Sequence, residues 1–274
     1  MANIAHGYFR LPSGKTIELP YDPNFNFNNI DPMPGDIDPY TVGTTQLFPL
    51  GTKLVQNDRT FRYVEYGGTT AAGNVVQREA PDGAHDDLDP TGSGTGAGVA
   101  VGDTIISIAT SVTLVENEYV GGTLTIEEDT GQGYSYLITA NEAASSAANA
   151  NVTIADGLAV AIDATSDVKL VKSAYQEVII APTTLTGAIV GVGVGVGADG
   201  SFGWVQTTGD AAIDTDGTVV IGQRVMASNG TAGFVEAMAL TEATPNTFIT
   251  PDVGIVVDVG ATGVHSVVRL NGFE

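Results

Sequence analysis

The chain contains no cysteine, so disulfides, thiol nucleophiles and thiolate metal ligands are excluded. Positive charge is scarce. Ten Lys and Arg stand against 32 Asp and Glu, for a net charge of -22. The six arginines (Arg10, Arg59, Arg62, Arg78, Arg224, Arg269) and four lysines are scattered rather than clustered. Nucleic-acid binding needs a patch of phosphate-neutralising cations, and an acidic surface repels polyanions and anionic lipid, so no nucleic-acid or membrane partner is expected. No run approaches 18 apolar residues without a Gly or a charge, so no membrane-spanning helix is expected. The start, Met1-Ala2-Asn3-Ile4-Ala5-His6, has neither a basic region nor an apolar core, and no secretory signal is expected from it.

Charged residues of both signs make up only 15 % of the chain, against roughly 25 % in an average globular protein. Apolar residues reach 43 %, enough to build a core and unlike the composition of a disordered chain. The 274 residues suggest one large domain or two to three small ones.

Residues 1–50 read as an extended arm. Pro12, Pro20, Pro23, Pro32, Pro34, Pro39 and Pro49 oppose any long helix or central strand. Between them lie more apolar side chains than a polar linker carries. Tyr21, Phe25, Phe27, Ile30 and Tyr40 are the candidate interface residues. The arm either lays these rings into grooves on a neighbouring subunit or wraps its own domain. If the first holds, removing residues 1–45 leaves the β domains folded and abolishes attachment.

The remainder reads as short strands separated by glycine-rich turns. Thr60–Tyr66 alternates apolar with polar residues, the period-2 pattern of a half-buried strand. Asn74–Gln77 is a second, short strand. The acidic stretch Pro81–Pro90 and the run Thr91–Gly98 read as a flexible loop and a domain boundary. Strands are expected at 104–108, 112–115, 119–126, 134–138, 151–154 and 168–171, with one or two helical turns or a loop over 141–148. From Ile189 to Gly197, valine alternates with glycine. As a strand it would have one valine face and one bare face open to close approach by another chain or side chain. Further strands are expected at 202–206, 218–222, 233–236, 253–257 and 266–270. The spacing predicts an all-β protein of small β-barrel or sandwich domains with an extended Pro-rich N-terminal arm. The domain reading is an arm over 1–50, the first part of a β-barrel domain plus flexible loop over 51–98, an inserted β domain over 99–181, and a C-terminal β-barrel domain over 182–274. An echo between Tyr63-Val64 and Trp204-Val205, each followed by a glycine and a second Val-rich strand, suggests two hairpins of one barrel split by the insertion.

Chemistry-bearing patterns are sparse. Nucleophilic catalysis needs a nucleophile close to a base. The three histidines, His6, His85 and His265, fall in the arm, a loop and a glycine-rich turn, and read as surface residues. No Gly-x-Ser-x-Gly elbow occurs. His85 with Asp82, Asp86, Asp87 and Asp89 could hold Ca²⁺ through carboxylates but lacks the spacing of a helix-loop-helix site. Asp214-Thr215-Asp216-Gly217 reads as a β-turn. Gly191–Gly200 has no lysine and opens no helix, as a phosphate loop must. No catalytic residue, cofactor or metal is therefore expected.

Several stretches together resemble a known family. Gly51-Thr52 with Val55, Phe61-Arg62-Tyr63-Val64 and Ala72-Gly73 with Val75-Val76-Gln77 resemble the opening of structural proteins from tailed bacteriophages. Ala100–Thr104, Asn117–Gly122, Gly131-Gln132-Gly133-Tyr134 and Leu158–Ser166 look like their inserted domain. Gly203-Trp204-Val205-Gln206 and Val253-Gly254-Ile255-Val256 are similar to the small β-barrels of capsid decoration, or cement, proteins. The resemblance implies a late-adding, non-enzymatic protein, assembled in the host cytoplasm, that binds the major capsid protein on the outer surface of the virion, commonly as a homotrimer, and ties capsomers together. Other readings of the residues are a tail tube, fibre or adaptor, an extracellular adhesin or surface-layer protein, and a polysaccharide-degrading enzyme.

Overall fold

The computed structural model describes residues 8–20, 36–90, 98–238, 251–260 and 264–273. In chain order these form β1 (Tyr8–Arg10), β2 (Thr16–Glu18), β3 (Lys53–Gln56), β4 (Arg59–Tyr66) and β5 (Val75–Gln77). There follow a single 3-10 turn (Gly83–His85), β6 (Ile105–Ala109), β7 (Thr123–Glu128), β8 (Ser135–Asn141), β9 (Asn149–Ile154) and β10 (Asp167–Val171). The chain ends with β11 (Ile179–Ile180), β12 (Ile189–Gly193), β13 (Ser201–Ile213), β14 (Arg224–Ala227), β15 (Val235–Ala237), β16 (Asp252–Asp258) and β17 (Ser266–Asn271). No α-helix occurs among the described residues, and the protein is all-β.

The described residues divide into two compact units. The inserted unit runs over Pro81–Ser173, so the acidic 81–90 stretch belongs to it. Residues 174–181, placed in the insertion by the sequence, belong to the outer unit instead, where β11 pairs β5.

In the outer unit the strands follow the order β1-β2-β3-β4-β13-β17-β16-β14-β15, all antiparallel. A branch of β12, β5 and β11 leaves from β13. The branch arises because β13 is 13 residues long and shifts register between Gln206 and Thr208. Its first half lies between β4 and β12, and its second half pairs β17. Neither sheet of the molecule closes into a barrel. In the outer unit β15 comes back to the chain just after β13, where Asp216 N–H donates to Val235 O at 2.7 Å and Val235 N–H to Asp214 O at 2.9 Å, and the Val75 N–H donates to Gly233 O at 2.7 Å. Val75, Val192, Ile213, Val225, Val235, Val253, Val256 and Val268 are buried together in this curl of sheet.

Part of the arm proves to be sheet. β1 and β2 form a hairpin that adds to β3, and Ile17, Leu54 and Phe61 lie in register across β2, β3 and β4, all buried. Leu11, Leu19 and Ile37 are buried as well. The Lys15 Nζ donates to the Ile37 carbonyl at 2.6 Å, fastening the hairpin to the returning chain. For residues 8–20 and 36–48, therefore, the arm wraps its own domain. The proline argument holds only in that these strands are three residues long and sit at the end of the sheet.

The echoing strands lie side by side. Tyr63 and Trp204 are direct partners across β4 and β13, with ring centroids 5.0 Å apart in an edge contact. Phe48 joins both rings, and Phe202 stacks on Tyr63. The bare face of the Val–Gly run is filled by the chain itself. A Cβ at Gly195 would lie 2.8 Å from Val42 Cγ2, and one at Gly197 would lie 2.6 Å from the Tyr66 ring.

The inserted unit is a five-stranded antiparallel sheet ordered β10-β7-β8-β9-β6 around Ile106, Ile108, Leu124, Ile126, Ile138, Val152 and Val168. Strand expectations fail at 112–115 and, in the outer unit, at 218–222. Residues 112–115 are not a strand. Leu114 alone is buried and bridges Ala144, while Val115 points to solvent. Residues 141–148 take the second of the two expected forms, a loop, running from the end of β8 through that bridge to a turn at Ala147, whose φ is +62°. Residues 218–222 form a turn instead of a strand, because Gly217 and Gly222 both take left-handed φ, at +79° and +83°.

Candidate interaction surfaces

Of the five predicted interface residues, Tyr21, Phe25, Phe27 and Ile30 lie outside the described residues. Tyr40 sits in a turn where its backbone N–H donates to Asp38 Oδ1 at 3.0 Å. Its phenol accepts from Arg59 Nη1 at 2.9 Å, yet half of the residue stays exposed. Just beyond it, Gly43 exchanges backbone hydrogen bonds with Phe202 of β13 at 2.9 and 2.7 Å. The Leu47 N–H donates to the Tyr63 phenol at 3.1 Å. The backbone here is pinned while its apolar side chains face outward. Leu47 is 55 % exposed, and Val196, next to the glycine that meets the Tyr40 carbonyl, is 72 % exposed.

A second apolar surface lies on the outer face of β16. Between its register shifts burial alternates, so Val256 faces the core while Ile255 and Val257 are exposed, followed by exposed Val259; Val253, at the first shift, is buried too. The 219–222 turn runs alongside. Gly222 N–H donates to Val256 O at 2.8 Å, and Val256 N–H donates to Gln223 O at 2.9 Å. Val220 and Ile221 in that turn are exposed. No sequence signal marked this strip as surface, because an apolar β-branched run reads the same whether covered or bare.

The inserted unit presents no bare sheet edge along the paired residues. Leu88 exchanges both backbone hydrogen bonds with Val168 of β10, each 3.0 Å. One residue on, Asp89 O accepts from Ala109 N–H of β6 at 2.9 Å, and Pro90 bridges Ile108. One short segment thus covers both edge strands, a recognised way of blocking edge-to-edge association.

This segment is tethered by His85, which corrects its reading as a surface histidine. His85 is 2 % exposed. Its Nδ1 lies 2.9 Å from Asp82 Oδ2 and 2.6 Å from the Tyr119 phenol oxygen, and the Tyr119 ring packs edge-on against it. Asp82 Oδ1 also accepts the Ala84 N–H at 2.9 Å, capping the 3-10 turn. That backbone donor, helped by His85, holds the Asp82 carboxyl below its ordinary range. The imidazole's role here is to fasten residues 82–90. His265, by contrast, is half-exposed and lies 3.2 Å from Asp214 Oδ1.

The acidic residues divide by use. Asp86 pairs with Lys169, and Glu127 lies 3.4 Å from the same amine. Asp216 Oδ2 accepts from Ser228 Oγ at 2.6 Å, and the 214–217 segment, expected as a β-turn, bridges Val235 through Thr215 and then bends. Asp167 faces Asp87, Asp89 and Glu128. Burial first, then these like charges, raise its carboxyl above the ordinary value. Among the described residues no group of three or more His, Asp and Glu is arranged to hold a metal ion. A raised folded-state value means that the ionised form is disfavoured on folding, a penalty complete at neutral pH and absent below the unfolded value near 3.9. Asp167→Asn is therefore expected to stabilise the inserted unit by about 0.5 kcal/mol at neutral pH, after allowance for solvent screening. The gain should vanish near pH 3, as read from urea midpoints at the two pH values.

No family model, no curated protein and no solved structure matches this chain.

Proposed function

We propose that this chain is a structural virion protein that binds the major capsid protein on the outer surface of a tailed-bacteriophage shell and stabilises the lattice. The resemblance described above supports this reading. The observation that carries it is that Tyr40, Leu47 and Val196 are exposed apolar side chains on pinned backbone, Tyr40 and Leu47 within the Pro-rich segment, in a chain of net charge -22. Rigid apolar anchors lose little entropy on docking and contribute most of the energy at interfaces. Repetition over a lattice multiplies modest contacts into resistance to rupture. The acidic remainder keeps the unbound protein soluble and away from nucleic acid.

The test is co-sedimentation with emptied phage shells that lack a decoration layer. The wild-type chain should saturate the shells at a fixed copy number. Val196→Asp should weaken binding by about 30-fold, the value of one 2 kcal/mol anchor. Because Val196 projects into solvent, the variant should melt at the wild-type temperature. Failure of the wild-type chain to sediment with any such shell would overturn the reading.

A further inference from the structure

Three charged side chains of the inserted unit, Lys169, Asp86 and Glu127, meet beside the segment that covers both edges of its sheet. Lys169 lies between buried Val168 and Leu170 on β10, so its side chain leaves the strand on the face away from the core. Asp86 stands two residues before Leu88, the partner of Val168. Glu127 comes from β7, the strand that pairs β10. The register shifts there. Asp167 faces Glu128 and Val168 faces Ile126, so Glu127 is the extra residue of a bulge. A bulge re-aims a side chain, and this one brings the Glu127 carboxylate to 3.4 Å from the Lys169 amine.

The contact between Lys169 and Asp86 differs from an ordinary ion pair. Lys169 Nζ touches Asp86 Oδ1, yet that oxygen is fully covered and has no hydrogen-bond partner among the described residues. The amine therefore lies off the directions along which a carboxylate accepts a proton donor. A nitrogen in touch with Oδ1 is also within about 3.5 Å of the carboxyl carbon, a near-attack separation. No more than a third of any of the three side chains is exposed. Asp86 holds the amine protonated, above the ordinary lysine range, so the unreacted pair is an ammonium and a carboxylate.

We infer that Lys169 and Asp86 become joined by an intramolecular amide, an isopeptide bond that the chain forms on itself with Glu127 as proton carrier. A proton first passes from Nζ to the Asp86 carboxylate, leaving a neutral amine and a neutral acid. The nitrogen lone pair then bonds to Cγ, and the carbonyl electron pair moves onto its oxygen. The Glu127 carboxylate takes one proton from the nitrogen and hands it to the carboxyl hydroxyl. The C–O bond breaks, water leaves and the carbonyl reforms. One water is lost, nothing is oxidised or reduced, and Glu127 returns to its starting form. Fixed geometry supplies an effective molarity of about 10⁵ M or more, which offsets the excess of water that opposes amide formation in solution. The bond ties the edge-covering segment to β10, so that it cannot peel away. It involves none of Tyr40, Leu47 and Val196 and does not rest on shell attachment.

The intact mass of the purified full chain tests the inference. The wild-type chain should weigh one water less than its sequence, and its digest should contain a branched peptide joining the residues around Asp86 to those around Lys169. Both are read on the wild-type chain, so the test does not depend on how a variant folds. Lys169→Arg and Asp86→Ala should each show the full sequence mass. Glu127→Gln should link about 100-fold more slowly, the usual contribution of a positioned acid–base group, and so be purified mostly open. A wild-type chain that keeps its full sequence mass on prolonged incubation overturns the inference. So does a missing water that persists in Lys169→Arg, because it was then lost elsewhere in the chain. Linkage of Glu127→Gln at the wild-type rate overturns the role given to Glu127. A linked chain that fails to bind shells leaves the inference standing and overturns only the proposed function.

Discussion

A chain shortened by residues 1–45 is expected to lose the fold of its outer unit. The truncation removes β1 and β2 and with them buried Leu11, Ile17, Leu19 and Ile37. At the usual 1.5–3 kcal/mol per buried aliphatic side chain, about 6–12 kcal/mol of burial is lost. That rivals the whole 5–15 kcal/mol by which a typical domain is stable. It also opens β3, with Leu54, as a sheet edge, a template for aggregation. Expression of the truncated chain should give aggregate, or a species in which only the inserted unit melts cooperatively. Recovery of a soluble truncated chain whose Trp204 fluorescence is native and unfolds at the wild-type denaturant midpoint would contradict the role given to these strands. Loss of attachment on truncation would accordingly say nothing about docking, which is why single outward-facing residues are the sounder probes.

Gly197→Ala should be strongly damaging within the Val–Gly run. The new methyl would stand 2.6 Å from both the Tyr66 ring and Thr70 Oγ1. Tyr66 cannot yield. It is fully buried, and its phenol donates to the Trp204 carbonyl at 3.0 Å. Burial also pushes its phenol's pKa up, so ionisation offers no relief. Overpacking at such a site costs about 3 kcal/mol, which should appear as a lower urea midpoint with unchanged slope. Gly43→Ala is the control. Its methyl would meet nothing within 4 Å, and its stability should stay within about 0.5 kcal/mol of wild type. Equal effects for the two would mean that the glycines serve backbone freedom rather than close packing.

These two positions show what was legible in the sequence. The Val–Gly alternation announced a face to be approached closely, because a missing Cβ is a local fact about a residue. What approaches is a non-local fact, and it proved to be Tyr40, Val42, Tyr66 and Thr70 of the same chain. Thr60–Tyr66 was plain from its alternation, and β4 spans Arg59–Tyr66. The strand expected at 202–206 covers only the first half of β13. Gly209, at φ +81°, bends a strand that continues to Ile213. Residues 218–222 erred in the opposite direction, four β-favouring residues held out of the ladder by the glycines beside them. The apolar β16 strip and buried His85 were hidden for one reason. Exposure depends on what the chain places above a residue, and neither composition nor period carries that. Among the interface candidates, Tyr40 alone lies within the described residues, and it is outward-facing.

The strand pair β5 and β11 gives the insertion an architectural meaning. Val76 and Gln77 lie opposite Ile180 and Ile179, so the outer unit treats everything between them as the loop of one hairpin. Within the insertion, Leu88 and Val168 are likewise mutual partners near its two ends, about 5.5 Å apart at their Cα atoms. Outgoing and returning chain therefore run together at both thresholds. Material spliced between such gateposts burdens its host only through the slowly growing, logarithmic entropy of a longer loop. The host scaffold can thus trade one cassette for another, or shed it for a tight turn, while its own ladder stays in register.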